Sequence, residues 1–369
     1  MKQKASLGVV LDIGDAVQTP DGFAIGVLRD KNVFSVASAS SDLSKISFSD
    51  IGPAHHEASP PQPFLWQNNV YIAWIDSGEL RLGRLDAGKI AMIGDEIIDP
   101  LTYSAKNPLS DLPAFDVATN GDRGVVVWEE LDPARGEIHG MTFSKSGFEH
   151  AADGGVARLT ISPPTSDADS PRLAPHGDGY WIAWTARAPE PAFDSGIEGP
   201  GETPSYRWLE VATLDANGAR TSDPKKLTPL QGHVAGYDVA THDGVSELVF
   251  RDAQETSADE GTTLFGISFA DKWSLTPDPI ANAGVGRAVP DLLSTRHLTW
   301  ALSPDTSDAM KLFPILPEKA PPSDEPLLKG ARPIALRDSG SGSEILAVTM
   351  PEGPTSAGEA EIELISCAR

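Results

Sequence analysis

Two stretches of the chain read as one sentence: LPAFDVATNGDRGVVVW at Leu112–Trp128 and SPRLAPHGDGYWIAW at Ser170–Trp184. Each has a Pro-marked short apolar run, a turn built from Gly, Asn, Asp or His, and a second apolar run ending in Trp. Alternating runs bounded by such turns read as strands joined by tight hairpins. Shorter copies end at Val27 (FAIGV), Trp74 (YIAW), Phe250 (ELVF), Trp300 (HLTW) and Val348 (ILAV). Between these endpoints the spacings are 47, 54, 56, 66, 50 and 48 residues. Repeats of this period, each made of several short strands, predict the blades of a β-propeller.

Third strands are expected at Val33–Ala39, Leu80–Leu85, Ile138–Phe143, Trp208–Leu214, Leu264–Phe269, Met310–Ile315 and Ala360–Ile365. The chain stops after the third strand of the last copy, whereas Leu7–Ile13 precedes the first copy as a spare strand. The economical closure lends Leu7–Ile13 to the last blade and leaves no open sheet edge there. The expectation is therefore all-β: one domain over residues 1–369, a seven-bladed propeller of four-stranded antiparallel blades closed by an N-terminal strand. Blades fall near 14–52, 53–104, 105–163, 164–231, 232–283, 284–330, and 331–369 with 5–13. Six blades and a flanking sheet is the alternative, because the copies at Val27 and Val348 lack the aromatic.

The repeat, most evidently SPRLAPHGDGYWIAW with LEVATLDANG, resembles units of bacterial extracellular β-propeller proteins. The likeness implies a propeller at the cell envelope or outside the cell and carries little chemistry. Neither a WD dipeptide with its Gly-His partner nor a kelch double-Gly unit is present. Ser303-Pro304-Asp305-Thr306 resembles the start of a sialidase Asp-box, without the Gly and Trp that complete one.

Against 29 Lys and Arg stand 53 Asp and Glu, a formal charge of −24, which repels nucleic acid and anionic membrane surfaces. No apolar run reaches the length of a membrane-spanning helix, so no membrane insertion is expected. The start, MKQKASLGVVLDIGD, is interrupted by Gly8, Asp12 and Asp15 and does not read as a signal peptide. A lone Cys367 provides neither a disulfide framework nor a Cys-based zinc site.

Ligands are expected on the face carrying the loops between second and third strands. Those loops hold Glu129, Glu130, Asp132 and Glu137, then Glu190, Asp194, Glu198 and Glu202, then Asp252, Glu255, Asp259 and Glu260. Such a rim attracts a basic partner surface or cations. The long loop Thr185–Tyr206 adds Phe193, Ile197 and Tyr206, a contact element of apolar residues among carboxylates. Links leading into each blade place His55, His56, Asp111, Asp167, Asp169, His233, Arg287 and Arg332 at the channel mouth, a polar ring suited to a small polar ligand.

Metalloprotease, nucleophile-elbow and phosphate-loop patterns are absent. Asp167-Ala168-Asp169 lacks the six to eight oxygens and the Gly of a calcium loop. No cofactor, metal or catalytic residue is singled out. Trp74, Trp128, Trp184 and Trp300 share one strand position and read as core. Trp66, Trp181, Trp208 and Trp273 depart from it and are sugar-stacking candidates if exposed. The expected function is a non-enzymatic binding or scaffolding module, engaging a protein or polar ligand, basic where charged, through its acidic loop-rich face. The alternative is a glycan-active hydrolase or lyase using channel carboxylates.

Overall fold

A computed structural model describes residues 3–55, 58–97, 114–132, 135–150, 157–188, 206–230, 232, 234–242, 245–252, 262–269, 278–285, 291–294, 299–304, 310–316, 331–339, 342–350 and 358–368. Among them there is no helix, and every strand pairing is antiparallel.

The first unit is β1 (Gln3–Thr19), β2 (Gly22–Arg29), β3 (Val33–Ser40) and β4 (Ile46–Pro53). The second is β5 (Gln62–Trp66), β6 (Asn69–Asp76), β7 (Glu79–Asp86) and β8 (Lys89–Ile97). The third is β9 (Phe115–Asn120), β10 (Arg123–Asp132) and β11 (Arg135–Ser144), with β12 (Gly147–Phe148) and β13 (Leu159–Thr160) both paired to β11. Next come β14 (Asp167–His176), β15 (Gly179–Arg187), β16 (Arg207–Leu214) and β17 (Lys225–Lys226), then β18 (Val234–His242), β19 (Val245–Asp252), β20 (Thr262–Phe269) and β21 (Asp278–Val285). The chain finishes with β22 (Asp291–Ser294), β23 (Thr299–Pro304) and β24 (Met310–Leu316), then β25 (Arg332–Ser339), β26 (Gly342–Thr349) and β27 (Gly358–Ala368). The strands β1, β5, β9, β14, β18, β22 and β25 touch in that cyclic order, with β25 returning to β1. An antiparallel ring of this kind is a β-propeller.

Hairpin chemistry explains the units. Trp66 pairs with Asn69 across Gln67-Asn68, whose φ values of 49° and 62° suit the twist of the flanking strands. Asn120 with Arg123, His176 with Gly179 and His242 with Val245 close equally short turns, as expected. Along β10 the side chains alternate between neighbouring units. Val126 and Trp128 pack on Tyr71, Ala73 and Phe143, whereas Val125 and Val127 pack on Ile182 and Trp184. Trp74, Trp128 and Trp184 are fully buried between units, and Phe250 and Val348 take the same role. Trp66, Trp181 and Trp208 are buried too, so none of the three stacks a sugar; Trp273 lies outside the described residues. The side chain of Trp300 also lies outside them, although β23 is described.

Ring closure follows the expected logic with a different strand boundary. Gln3–Val10 of β1 pairs with β27, and Val10–Thr19 pairs with β2, so one 17-residue strand serves the last unit and the first. Leu7–Ile13 is therefore not a separate closing strand but the middle of β1. Bulges between Ser6 and Gly8, Val10 and Asp12, and Ile13 and Ala16 turn it from one sheet to the next. Gly8, at φ 72°, supplies the left-handed residue of the first bulge.

Candidate functional site

The innermost strands repeat one register position. Gln62 lies opposite Ala73, Asp116 opposite Val127, Arg172 opposite Ala183 and Asp238 opposite Val249. Each partner directly precedes Trp74, Trp128, Trp184 or Phe250. Because side chains alternate along a strand, these four residues share one orientation in their units, and all four line the space around the axis. Asp15 joins them from the last bulge of β1. Together with Leu65, Phe115, Leu173, Tyr237 and Arg332 they line a central cavity of about 1190 Å³.

The polar groups of this ring hold adjacent units together. Gln62 Nε2 donates to Asp116 Oδ1 at 3.2 Å, and Asp116 Oδ2 accepts the Leu173 N–H at 2.7 Å. Asp238 Oδ2 accepts the Leu292 N–H, also at 2.7 Å, and its Oδ1 lies 3.6 Å from Arg172 Nε. The Tyr237 hydroxyl is 2.5 Å from the Ser170 carbonyl oxygen and 2.8 Å from that of Ala183. Desolvation in the channel raises the Asp116 carboxyl above its ordinary range, against the opposing charge of Arg172 and the N–H bonds of Leu173 and Val117. For Arg172 burial pulls downward, but the charges of Asp116 and Asp238 outweigh it and its pKa is raised. Burial pushes the Tyr237 phenol well above its usual value. The result is a fence of fixed donors and acceptors around partly apolar walls, suited to holding a polar molecule.

A second cluster lies between the third and fourth units. Glu129 is buried, and its Oε2 accepts the Ser170 N–H at 3.1 Å. Asp169 is bound by Thr185 Oγ1 and sits 3.0 Å from Arg187 Nη2; Asp167 is 3.5 Å from Arg187 Nε and accepts the Gly136 N–H at 2.8 Å. Desolvation, then the charge of Asp169, pushes Glu129 up to about 7.

These observations correct several expectations. Asp167 and Asp169 do not line the cavity; the long hairpin of β14 and β15 carries them into the joint with Glu129. Glu129 and Glu130 are not loop residues on a rim. The β10–β11 ladder continues to Asp132 and Arg135, so Glu129 turns inward, and Glu130 meets Arg158 and lies 3.3 Å from His139 Nε2. Asp132 and Asp252 are strand residues rather than loop residues, and nothing of their side chains is described. His55 is anchored to the buried Asp76, with Nδ1 at 3.1 Å from Oδ2, and does not line the cavity. Arg332 is among the residues that line it. Tyr206 is exposed beside the start of β16. His56, Asp111, Glu190, Phe193, Asp194, Ile197, Glu198, Glu202, His233, Glu255, Asp259 and Arg287 lie outside the described residues.

Sequence reasoning passed over Asp15, Gln62, Asp116, Arg172 and Asp238. A signal existed: FDVATN at Phe115–Asn120 and YDVATH at Tyr237–His242 carry the same Asp at the same strand position. Among the described residues no group of three or more His, Cys, Asp or Glu side chains is placed to hold a metal ion. Among the described residues no helix is long and apolar enough to cross a membrane.

No protein-family model matches this sequence, and no curated protein matches it. Among solved structures, the fucose-specific lectin from Aleuria aurantia is 10% identical at a TM-score of 0.46, over 79% of this chain and 86% of that one. The GH43_1 enzyme from Xanthomonas citri complexed with xylotriose is 12% identical at a TM-score of 0.37, over 71% and 88%. Prolyl oligopeptidase B from Galerina marginata is 12% identical at 0.47, over 79% and 41%. These likenesses are distant, and the fold rests on the sheets and their cyclic contacts.

Proposed function

We propose that this chain is a single-domain, seven-bladed propeller that binds a polar ligand at its central channel without transforming it. The seven innermost strands in cyclic contact support the blade count. The observation that carries the binding reading is the ring of Gln62, Asp116, Arg172 and Asp238 around the cavity. Its carboxylates already accept main-chain N–H groups from the next unit, which supports a role in recognition over one in proton transfer. The acidic residues of the sequence between Glu190 and Glu202 and between Glu255 and Glu260 add an attraction for a basic partner. The resemblance of the repeat to exported proteins supports a place at the envelope or outside the cell, which fractionation of the source cells tests.

Binding is tested by calorimetry of the intact protein with a panel of neutral and charged saccharides and short peptides. At least one saturable ligand is expected, and Gln62→Ala should weaken it about fivefold, the worth of one hydrogen bond. A panel with no saturable ligand, or binding indifferent to Gln62 and Arg172, overturns the reading.

A second reading, the glycan-active hydrolase or lyase, has one observation in its favour. Glu129, its carboxyl pushed up to about 7 by burial and then by the charge of Asp169, is an acid able to hold a proton close to neutral pH. Release of new reducing ends from a glycan, lost in Glu129→Gln, would favour that reading over simple binding.

A further inference from the structure

Charged side chains from the two ends of the chain meet at one end of the channel. Asp12 and Asp15 belong to the bulged part of β1, and Arg332 opens β25. With Pro60, Pro61 and Phe115 they line a cavity of about 330 Å³, which shares Asp15, Gln62, Phe115, Arg172 and Arg332 with the large central one. Asp12, Asp15 and Arg332 are exposed to solvent, and Arg172, the fourth charged residue of the lining, is half-buried.

Their charges are held apart. Arg332 Nη2 donates to the carbonyl oxygens of Ile13 and Gly14, the latter at 3.3 Å, and Asp12 Oδ1 accepts the Ile13 N–H at 2.7 Å. Among the described residues Asp12, Asp15 and Arg332 form no ion pair, whereas Arg29, Arg81, Arg187 and Arg337 each meet a carboxylate within 3.0 Å. A guanidinium has five N–H donors, and only those on Nη2 are engaged here. The wall opposite is rigid: prolines 60 and 61 press on Gly14 and Gly26, where a Cβ would meet Pro60 Cβ or the Pro61 carbonyl oxygen. Arg332 and Asp12 are thus tied to backbone, while the charge of Asp15 acts on Arg172, and the small space presents both signs of charge. An anion brought to Arg332 is opposed by Asp12 and Asp15, and a cation brought to the carboxylates is opposed by Arg332 and Arg172. A ligand with both charges satisfies both sides.

We propose that this mouth pocket binds a small zwitterion of the amino-acid or dipeptide class, its carboxylate on Arg332, its ammonium on Asp12 and Asp15, and its apolar part on Pro60, Pro61 and Phe115. The assignment rests on the channel being a polar-ligand site and adds which ligand the mouth selects.

The test is calorimetric titration of the intact protein with four probes: alanyl-alanine, its N-acetyl form, its C-terminal amide and galactose. Alanyl-alanine should bind at least tenfold more tightly than either singly charged form. Arg332→Gln should erase the preference over the amide, and Asp15→Asn should reduce the preference over the N-acetyl form. Asp15→Asn, at an exposed bulge position, keeps the question open to test if Arg332→Gln fails to fold. Equal affinity for the three peptide forms, or no binding of alanyl-alanine, overturns the zwitterion assignment. Saturable galactose binding in that same event leaves the channel reading standing, and silence from all four probes in a protein that binds another saccharide refutes the mouth assignment alone.

Discussion

Glu129 shows how one side chain turns burial into pH dependence. Its carboxyl is 9% exposed and sits beside Asp169, and desolvation followed by that like charge raises it from 4.5 to about 7. In the folded protein it keeps a proton that the unfolded chain releases across this interval, so its contribution is complete below about pH 4.5 and is lost as the pH rises through 7. The expected outcome is a fall in stability of roughly 1–3 kcal/mol between pH 5 and 8, read as a shift in the urea midpoint. Glu129→Gln should flatten that slope and exceed the parent at pH 8. The channel acids behave differently. Asp238→Ala strands the buried Leu292 N–H and removes a partner of Arg172, a cost of about 1–3 kcal/mol in thermal or urea unfolding, with Asp238→Asn recovering part of it. The repeated FDVATN and YDVATH made the strand position of these aspartates legible, but not their acceptor role. Their donors, Leu173 and Leu292, lie more than 50 residues away in the next unit.

At the level of elements, the hairpins were readable because their determinants are local. Turn residues with positive φ, such as Gln67 and Asn68, and period-two apolar runs specify both the turn and the sheet face. The outer strands were less so, although β4 and β8 run eight and nine residues. β12, β13 and β17 shrink to two residues each, because an edge that faces solvent on its outer side buries little and leaves little pattern in the sequence. Within β2, Gly26 runs so close to the loop of the second unit that a Cβ would overlap the Pro61 carbonyl oxygen. Gly26→Ala should therefore destabilise the joint between the first two units by about 1–3 kcal/mol and lower the melting temperature. An unchanged melting curve would show that this contact relaxes freely.

For the whole molecule the decisive device is β1. Its first half completes the sheet of β25, β26 and β27, and its second half opens the sheet of β2, β3 and β4. Removing residues 1–10 should leave β27 with an unpaired edge, lower the melting temperature by 10 °C or more, and promote association visible by size-exclusion chromatography. A truncated chain that melts like the parent would refute closure by this strand. The breaks at Gly8, Asp12 and Asp15 in the opening apolar run have their explanation here too: they mark where one strand bends between two sheets, and two of them reach the channel mouth.

The sequence by itself determined the unit: alternating strands, tight turns and an aromatic that packs on the preceding blade, all set by residues a few positions apart. It also marked the need for a borrowed strand, since a missing partner is a matter of counting. Only the tertiary structure decided which side chains meet. Arg172 lies between two aspartates from flanking blades, Glu129 faces carboxylates of the next hairpin, and Arg332 comes to Ile13 from more than 300 residues away. Local pattern specifies a strand and its faces, but the site forms where separate strands converge on one axis, and that convergence exists only when the ring is closed.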